Sequence, residues 1–307
     1  MTLNPTEIAR LTRLDTEGTD SRFADIDKMS VGELAATMNT ADASVPDAVR
    51  RALPQISPAI EAAVSRMKAG GRMIYVGAGT PGRIGVLDAS ECPPTFGTPP
   101  EQVFAVIAGG PSAIVSPSEG AEDDTQAGTA AMDAAGVGRL DTVIGIASSG
   151  RTPYVVAALE RARANGALTI ALTCNAGTPL AAAAEHRIEV LVGPEVVAGS
   201  TRLKAGTAQK LVLNMFSTIV MVQLGKTYGN LMVDVKPTNA KLRERALRMI
   251  QTVTGAERTT AAEALDANSQ SVKRAIVAIR LNLGPEDAAA QIKDNDGRLR
   301  AALGEHA

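Results

Sequence analysis

Residues 72–97 read RMIYVGAGTPGRIGVLDASECPPTFG, and this stretch fixes what kind of fold the chain can have. Arg72–Val76 is a short run rich in strand formers. It breaks into Gly77-Ala78-Gly79, and from Gly82 the pattern becomes helical. A strand that ends in Gly-x-Gly and turns into a helix leaves bare backbone N–H groups beside a helix N-terminus, a place suited to phosphate or another anion. No Gly-Lys-Ser/Thr follows, so this is not a Walker loop. Gly77, Gly79 and Gly82 have the spacing of a dinucleotide fingerprint, but the acidic residues Asp88 and Glu91 fall in the next helix instead of closing a second strand. Carboxylates just downstream of an anion cradle point to an enzyme acting on a small phosphorylated molecule.

Outward from this point, apolar runs alternate with helical patterns. Gln102–Ala108, Thr142–Ala147, Leu168–Thr173 and Ile188–Val192 read as strands. Pro46–Met67, Ser118 to about Ala135, Pro153–Ala164 and roughly Arg202–Tyr228 read as helices. The alternation predicts an α/β protein whose parallel sheet is covered on both faces. Residues 1–45 form a polar N-terminal segment, in which Thr16–Asp20 is loop-like and Ser30–Asn39 a capped helix. After residue 235 strands give way to polar helices (Ala261–Ala267, Ser271–Ala278, Pro285–Ile292). The expected division is therefore 1–45, 46–235 and 236–307.

Composition narrows the function classes. The 307 residues carry 31 basic and 33 acidic side chains, a formal charge of -2, so nothing draws the chain to nucleic acid or to anionic membranes. Aromatics are only 2% of residues, too few for base-stacking platforms. Cys92 and Cys174 form no Cys-x-x-Cys pair, and His186 and His306 lie far apart, which argues against His/Cys metal sites and Ser-His-Asp catalysis. The N-terminus has no apolar signal segment, and Leu211–Leu224 is too short and too interrupted to span a bilayer. A cytoplasmic protein needing neither metal nor cofactor is expected.

Three further constellations carry chemistry. Ala147-Ser148-Ser149-Gly150-Arg151-Thr152 ends a strand and precedes a helix opening with Pro153. Its hydroxyls and N–H groups can ring a phosphate, although Thr152 could simply cap the helix. Capping needs one hydroxyl and the loop offers three. Glu119, Glu122, Asp123 and Asp124 follow another strand, where ligands bind in open parallel sheets. A solvated first helical turn favoured by the helix dipole is the simpler reading of that cluster. In Gly199–Lys210, Arg202 and Lys204 oppose the dipole of the helix they open, a mismatch that favours contact with an anion.

Taken in order, Gly77–Gly97, Glu119–Asp123, Ala147–Tyr154, Gly199–Lys210 and Asn230–Val235 closely resemble the N-acetylmuramic acid 6-phosphate etherases, from about Thr16 to the C-terminal helices. These belong to the sugar isomerase (SIS) fold superfamily, which also holds the glucokinase regulatory proteins. The resemblance implies a three-layer SIS fold with a central parallel sheet, a helical C-terminal region and a homodimer. It also implies cleavage of the lactyl ether to N-acetylglucosamine 6-phosphate and D-lactate by elimination and water addition, in cell-wall recycling. By motif, Glu91 corresponds to the family's acid/base at C3 and Glu122 to the second catalytic glutamate. Ser148, Ser149 and Thr152 match its sugar-phosphate loop, and Gly79, Thr80, Ser90, Thr201 and Lys204 are further candidate substrate or phosphate contacts. Pro81 stands where the family usually has Ser, removing a hydroxyl and an N–H from the glycine loop. Thr16–Asp20 departs from the usual Thr-Glu-x-Arg-Asn. A non-catalytic sugar-phosphate sensor and a sugar-phosphate isomerase of the same fold are the alternatives; Glu91 and Glu122 together argue against the sensor.

Overall fold

The computed structural model describes residues 14–118 and 120–305, so Glu119 and His306 lie outside the described residues, as does the start of the N-terminal segment. The chain divides into two compact units, Met1–Ala89 with Glu101–Ser217, and Ser90–Pro100 with Thr218–Ala307.

The first unit holds the sheet. Its strands are β1 (Met73–Gly77), β2 (Val103–Ile107), β3 (Thr142–Ile146), β4 (Leu168–Thr173) and β5 (His186–Glu189). They are parallel and ordered β2-β1-β3-β4-β5. β1, β3 and β4 are buried at every position. Because successive side chains point to opposite faces, both faces must be covered. Helices α1 (Val31–Asp42) and α2 (Val45–Lys68) precede β1, and α3 (Gly79–Phe96) follows it. Then come α4 (Thr125–Ala134) before β3, α5 (Pro153–Ala164) before β4, α6 (Pro179–Ala183) before β5, and α7 (Lys204–Gln223). Helix α2 packs on β3, β4 and β5, and α5 on β1, β3 and β4. Ser30 caps α1 through a complete capping box with Glu33, as its sequence predicts. Helix α2 carries Pro54 and Pro58 on its exposed side, where the carbonyls they leave unpaired can turn to water.

Three sequence readings shift. The last strand pairs over His186–Glu189 instead of Ile188–Val192, because hydrogen bonding to β4 stops at Thr173. Helix α3 begins at Gly79 and runs through Pro93 and Pro94. The helix expected from Ser118 begins only at Thr125; Pro117 and the left-handed Gly120 interrupt the segment before it.

The second unit is helical beyond Thr218. α8 (Ala240–Thr254), α9 (Arg258–Ala267), α10 (Val272–Leu281), α11 (Pro285–Asp294) and α12 (Leu299–Ala302) surround a core that includes Leu247, Ile250, Leu265 and Ile276. Buried Lys273 holds it at one point, donating to Asp234 Oδ2 at 2.7 Å and to the carbonyls of Gly225 at 2.9 Å and Gly297 at 2.6 Å. Among the described residues, no helix is long and apolar enough to cross a membrane.

Candidate active site

The strand order reverses at β1: the chain moves outward to β2, then returns to β3 on the other side of β1. In open parallel sheets such a switch point, at the carboxyl ends of the strands, is where ligands bind. Here the strand ends share one register, with Gly77 opposite both Ile107 and Ile146, and Ile146 opposite Leu172. The glycine loop, the segment after β2 and the Ser148–Thr152 loop therefore leave the sheet side by side.

The glycines explain the first loop. A Cβ on Gly77 would lie 2.6 Å from Gly82 N, and one on Gly82 would lie 2.6 Å from Ile107 Cγ1, so the loop closes backbone on backbone. Gly79 sits at φ +56°, a left-handed conformation that favours glycine, and opens α3. Pro81 falls in the first turn of α3, where the helix gives an N–H no partner in any case, so proline costs the fold little. It does cost the loop one donor.

Glu122 is exposed in the short 3-10 turn Ala121–Asp123. With Gly79, Arg83, Pro117, Ser118 and Ala121 it lines a cavity of about 160 Å³. Arg83 donates through Nε to the Ile114 carbonyl at 2.8 Å, which ties the segment after β2 to α3. The dipole-favoured first turn read from the acidic cluster is thus corrected. Among the described residues only Asp124 serves the helix, accepting from Ala127 N at 2.8 Å as the N-cap of α4, while Glu122 stands on the cavity wall. The other acidic pair separates as well. Asp88 is 3% exposed and accepts from Tyr75 Oη at 2.8 Å and from Lys210 Nζ at 3.3 Å. Burial pushes its carboxyl pKa up against those partners. Ser90 and Glu91 follow on α3, both exposed, in the stretch that belongs to the second unit.

In the hydroxyl loop, Thr152 is the N-cap residue of α5 but makes no side-chain capping hydrogen bond, and Pro153 occupies the first helical turn. The capping explanation for its hydroxyl therefore fails. Ser149 Oγ accepts from Arg151 N at 3.2 Å. Ser148 is buried; its Oγ accepts from Gln209 Nε2 at 2.9 Å and its carbonyl from Asn175 Nδ2 at 3.0 Å and Cys174 N at 3.0 Å. Asn175 also donates to Thr16 Oγ1 at 2.9 Å, which anchors the N-terminal segment beneath the loop. Burial pushes the neighbouring Cys174 thiol up to about 12, so it is no nucleophile at neutral pH.

Thr80 and Thr201 meet at α7. A Cβ on Gly206 would lie 3.6 Å from the Thr80 methyl carbon and 3.6 Å from the Thr201 carbonyl. Lys204 does not join them. It is 3% exposed, and its ammonium donates to the Val192 carbonyl at 2.8 Å. Burial lowers its pKa, partly offset by Glu195. Buried Glu195 accepts from Lys204 N at 3.0 Å and Ala205 N at 2.9 Å, so a carboxylate already serves the start of α7. The mismatch between Lys204 and the helix dipole is met inside the protein by Glu195. Thr16, Asn175 and Gln209 escape the sequence reading because their partners lie 27 or more positions away along the chain.

Comparison with known proteins accords with this geometry. Residues 55–163 match the glucokinase regulatory protein N-terminal SIS domain, and residues 123–219 match the SIS domain. N-acetylmuramic acid 6-phosphate etherase of Rubrobacter xylanophilus is 55% identical over 96% of this chain and 98% of its own. The enzyme of that name from Streptomyces avermitilis is 55% identical over 96% of this chain and 95% of its own. That from Mycolicibacterium smegmatis is 51% identical over 96% and 99%.

Proposed function

The chain belongs to the N-acetylmuramic acid 6-phosphate etherase family, and from that premise we propose that it acts as a carbon–oxygen lyase on N-acetylmuramic acid 6-phosphate in the cytoplasm. The observation that carries the reading is Glu122 on the wall of the switch-point cavity shared with Gly79, whose strand β1 ends in register with β3, the strand that leads into the hydroxyl loop. The phosphate is received by Ser148, Ser149 and Thr152, with the Gly79–Thr80 backbone and Thr201 adding donors. The starts of α3 and α5 contribute the positive ends of their dipoles. Lys204 has no part in it.

In the open-chain sugar the C1 aldehyde acidifies the C2 proton. Glu122 takes that proton, the C2–C3 double bond forms, and the C3–O bond to lactate breaks as Glu91 protonates the departing oxygen. Glu91, now a carboxylate, deprotonates water as it adds to C3, and a proton returns to C2. The products are N-acetylglucosamine 6-phosphate and D-lactate, and each carboxyl ends as it began. Two carboxyl groups in opposite protonation states suffice for this cycle. Exposed Ile219 and Val222 on α7 supply apolar surface for the homodimer included in the proposal, which light scattering tests.

The test is D-lactate release by the purified protein, with Glu91→Gln and Glu122→Gln beside it. Release by the wild type, loss in Glu91→Gln, and loss of solvent deuterium entry at C2 in Glu122→Gln are expected. Lactate release by either variant at the wild-type rate would remove that residue from the mechanism. Binding without release by the wild type would favour a sugar-phosphate sensor.

A further inference from the structure

Gln209, on the inner side of α7, is fully buried. Its Nε2 donates to Ser148 Oγ at 2.9 Å, while among the described residues its Oε1 has no hydrogen-bond partner. A buried acceptor left without a donor lowers stability, so an apolar side chain of the same size would suit the fold better. The amide earns its place through its one hydrogen bond. That bond has a direction: an amide nitrogen only donates, and a serine hydroxyl has a single hydrogen of its own. With Ser148 Oγ accepting from Gln209, its hydrogen is left for another acceptor. Ser149 is set in the same sense, since its Oγ accepts from Arg151 N at 3.2 Å. Two adjacent hydroxyls are thereby turned into donors, as a phosphate with acceptor oxygens alone requires. The carbonyl of Ser148 is pinned independently by Asn175 and Cys174, so the backbone does not depend on Gln209.

We infer that Gln209 is a positioning residue of the phosphate site: it fixes the Ser148 hydroxyl as a donor to the ligand's phosphate oxygens. This rests on the proposed function of the hydroxyl loop. The experiment is a double-mutant cycle of Gln209→Met and Ser148→Ala, reading kcat and KM for N-acetylmuramic acid 6-phosphate and calorimetric binding of N-acetylglucosamine 6-phosphate. Thermal melting confirms that each variant is folded. Gln209→Met is expected to raise KM and the product dissociation constant about three- to tenfold, the size of one neutral hydrogen bond. kcat should stay within about twofold of wild type, and the substitution should add nothing once Ser148 is alanine. If Gln209→Met fails to fold, Gln209→Asn, which keeps the amide but shortens its reach, should show the same coupling. Weaker binding in Ser148→Ala, with Gln209 variants that bind normally or lose affinity additively, would overturn the inference and leave the function standing. Unchanged binding in both Ser148→Ala and Ser149→Ala would show that this loop does not hold the phosphate, and both readings would fall.

Discussion

Replacing Asn175 by Ala should loosen the N-terminal segment and the hydroxyl loop together. Asn175 is 3% exposed; its Nδ2 donates to Thr16 Oγ1 at 2.9 Å and to the Ser148 carbonyl at 3.0 Å, and its Oδ1 accepts from Thr16 N at 3.4 Å. Alanine removes all three contacts. The Ser148 carbonyl keeps its bond from Cys174 N at 3.0 Å and is not orphaned. Thr16 is 0% exposed, so its N–H and hydroxyl lose these partners away from water. At about 1–3 kcal/mol for each of these two unsatisfied buried groups, the cost is about 2–6 kcal/mol. That is a large share of the ~5–15 kcal/mol that holds a typical protein folded. Thermal melting should fall by at least about 5 °C, and hydrogen exchange at the Thr16 amide should accelerate more than at the β3 and β4 amides. KM should rise while kcat changes little, because the loop keeps its Cys174 bond. Asn175→Asp should do no better, since a carboxylate would face the Ser148 carbonyl. A melt within about 1 °C of wild type, or unchanged protection at Thr16, would refute the reasoning.

At the other end of the strands, Asp141 accepts from Arg72 Nη2 at 2.6 Å, Arg72 Nε at 3.0 Å and Gly138 N at 2.9 Å. Burial raises its pKa, but the Arg72 and Gly138 hydrogen bonds outweigh burial and hold it below the usual aspartate value. A depressed folded pKa contributes stability that is present above the unfolded value near 3.9 and lost as pH falls through the folded value. Asp141→Asn should therefore lower stability at neutral pH and flatten acid unfolding below about pH 4, with KM unchanged; an acid limb as steep as wild type would count against this. Pro81→Ser restores an N–H and a hydroxyl to the glycine loop and should tighten N-acetylglucosamine 6-phosphate binding about three- to tenfold by calorimetry. Equal or weaker affinity would show that the missing donors face away from the phosphate.

The sheet was legible because strands buried on both faces are apolar or threonine at nearly every position, and Thr142–Ala147 and Leu168–Thr173 are runs of Val, Ile, Leu, Ala, Gly and Thr without a charge. The edge strand was not: His186 and Arg187 belong to it, while among the described residues beyond Glu189 only Val190 N still bonds β4, donating to the Thr173 carbonyl at 2.8 Å. The acidic segment misled for a related reason. Carboxylates before an alanine-rich run suit a helix start, yet Pro117 precedes that stretch, Gly120 lies inside it and, among the described residues, only Asp124 caps. For the candidate site, motif order located the glycine and hydroxyl loops, since each is a local strand-to-helix turn. The partners that orient the hydroxyls could not be read, because which buried amide meets which serine depends on how α7 and the segment after β4 pack.

Lys204 shows why residue type alone misassigns a ligand. A cation at the start of a helix looks misplaced in sequence, and a phosphate nearby would explain it. Glu195 explains it more economically, because one buried carboxylate serves the helix N-terminus and also offsets the lysine charge. Arg83 follows the same rule on the wall of the Glu122 cavity, its Nε donating to the Ile114 carbonyl. Both cations are thus spent on backbone carbonyls. In the proposed site the phosphate contacts are then the hydroxyls, backbone N–H groups and helix dipoles, which hold an anion without adding a mobile charge. A lysine or arginine turned into the site would hold phosphate more strongly, but it would also compete for Glu122 as an ion-pair partner. In the proposed mechanism a cradle of neutral donors binds the substrate's anion and leaves Glu122 to the C2 proton.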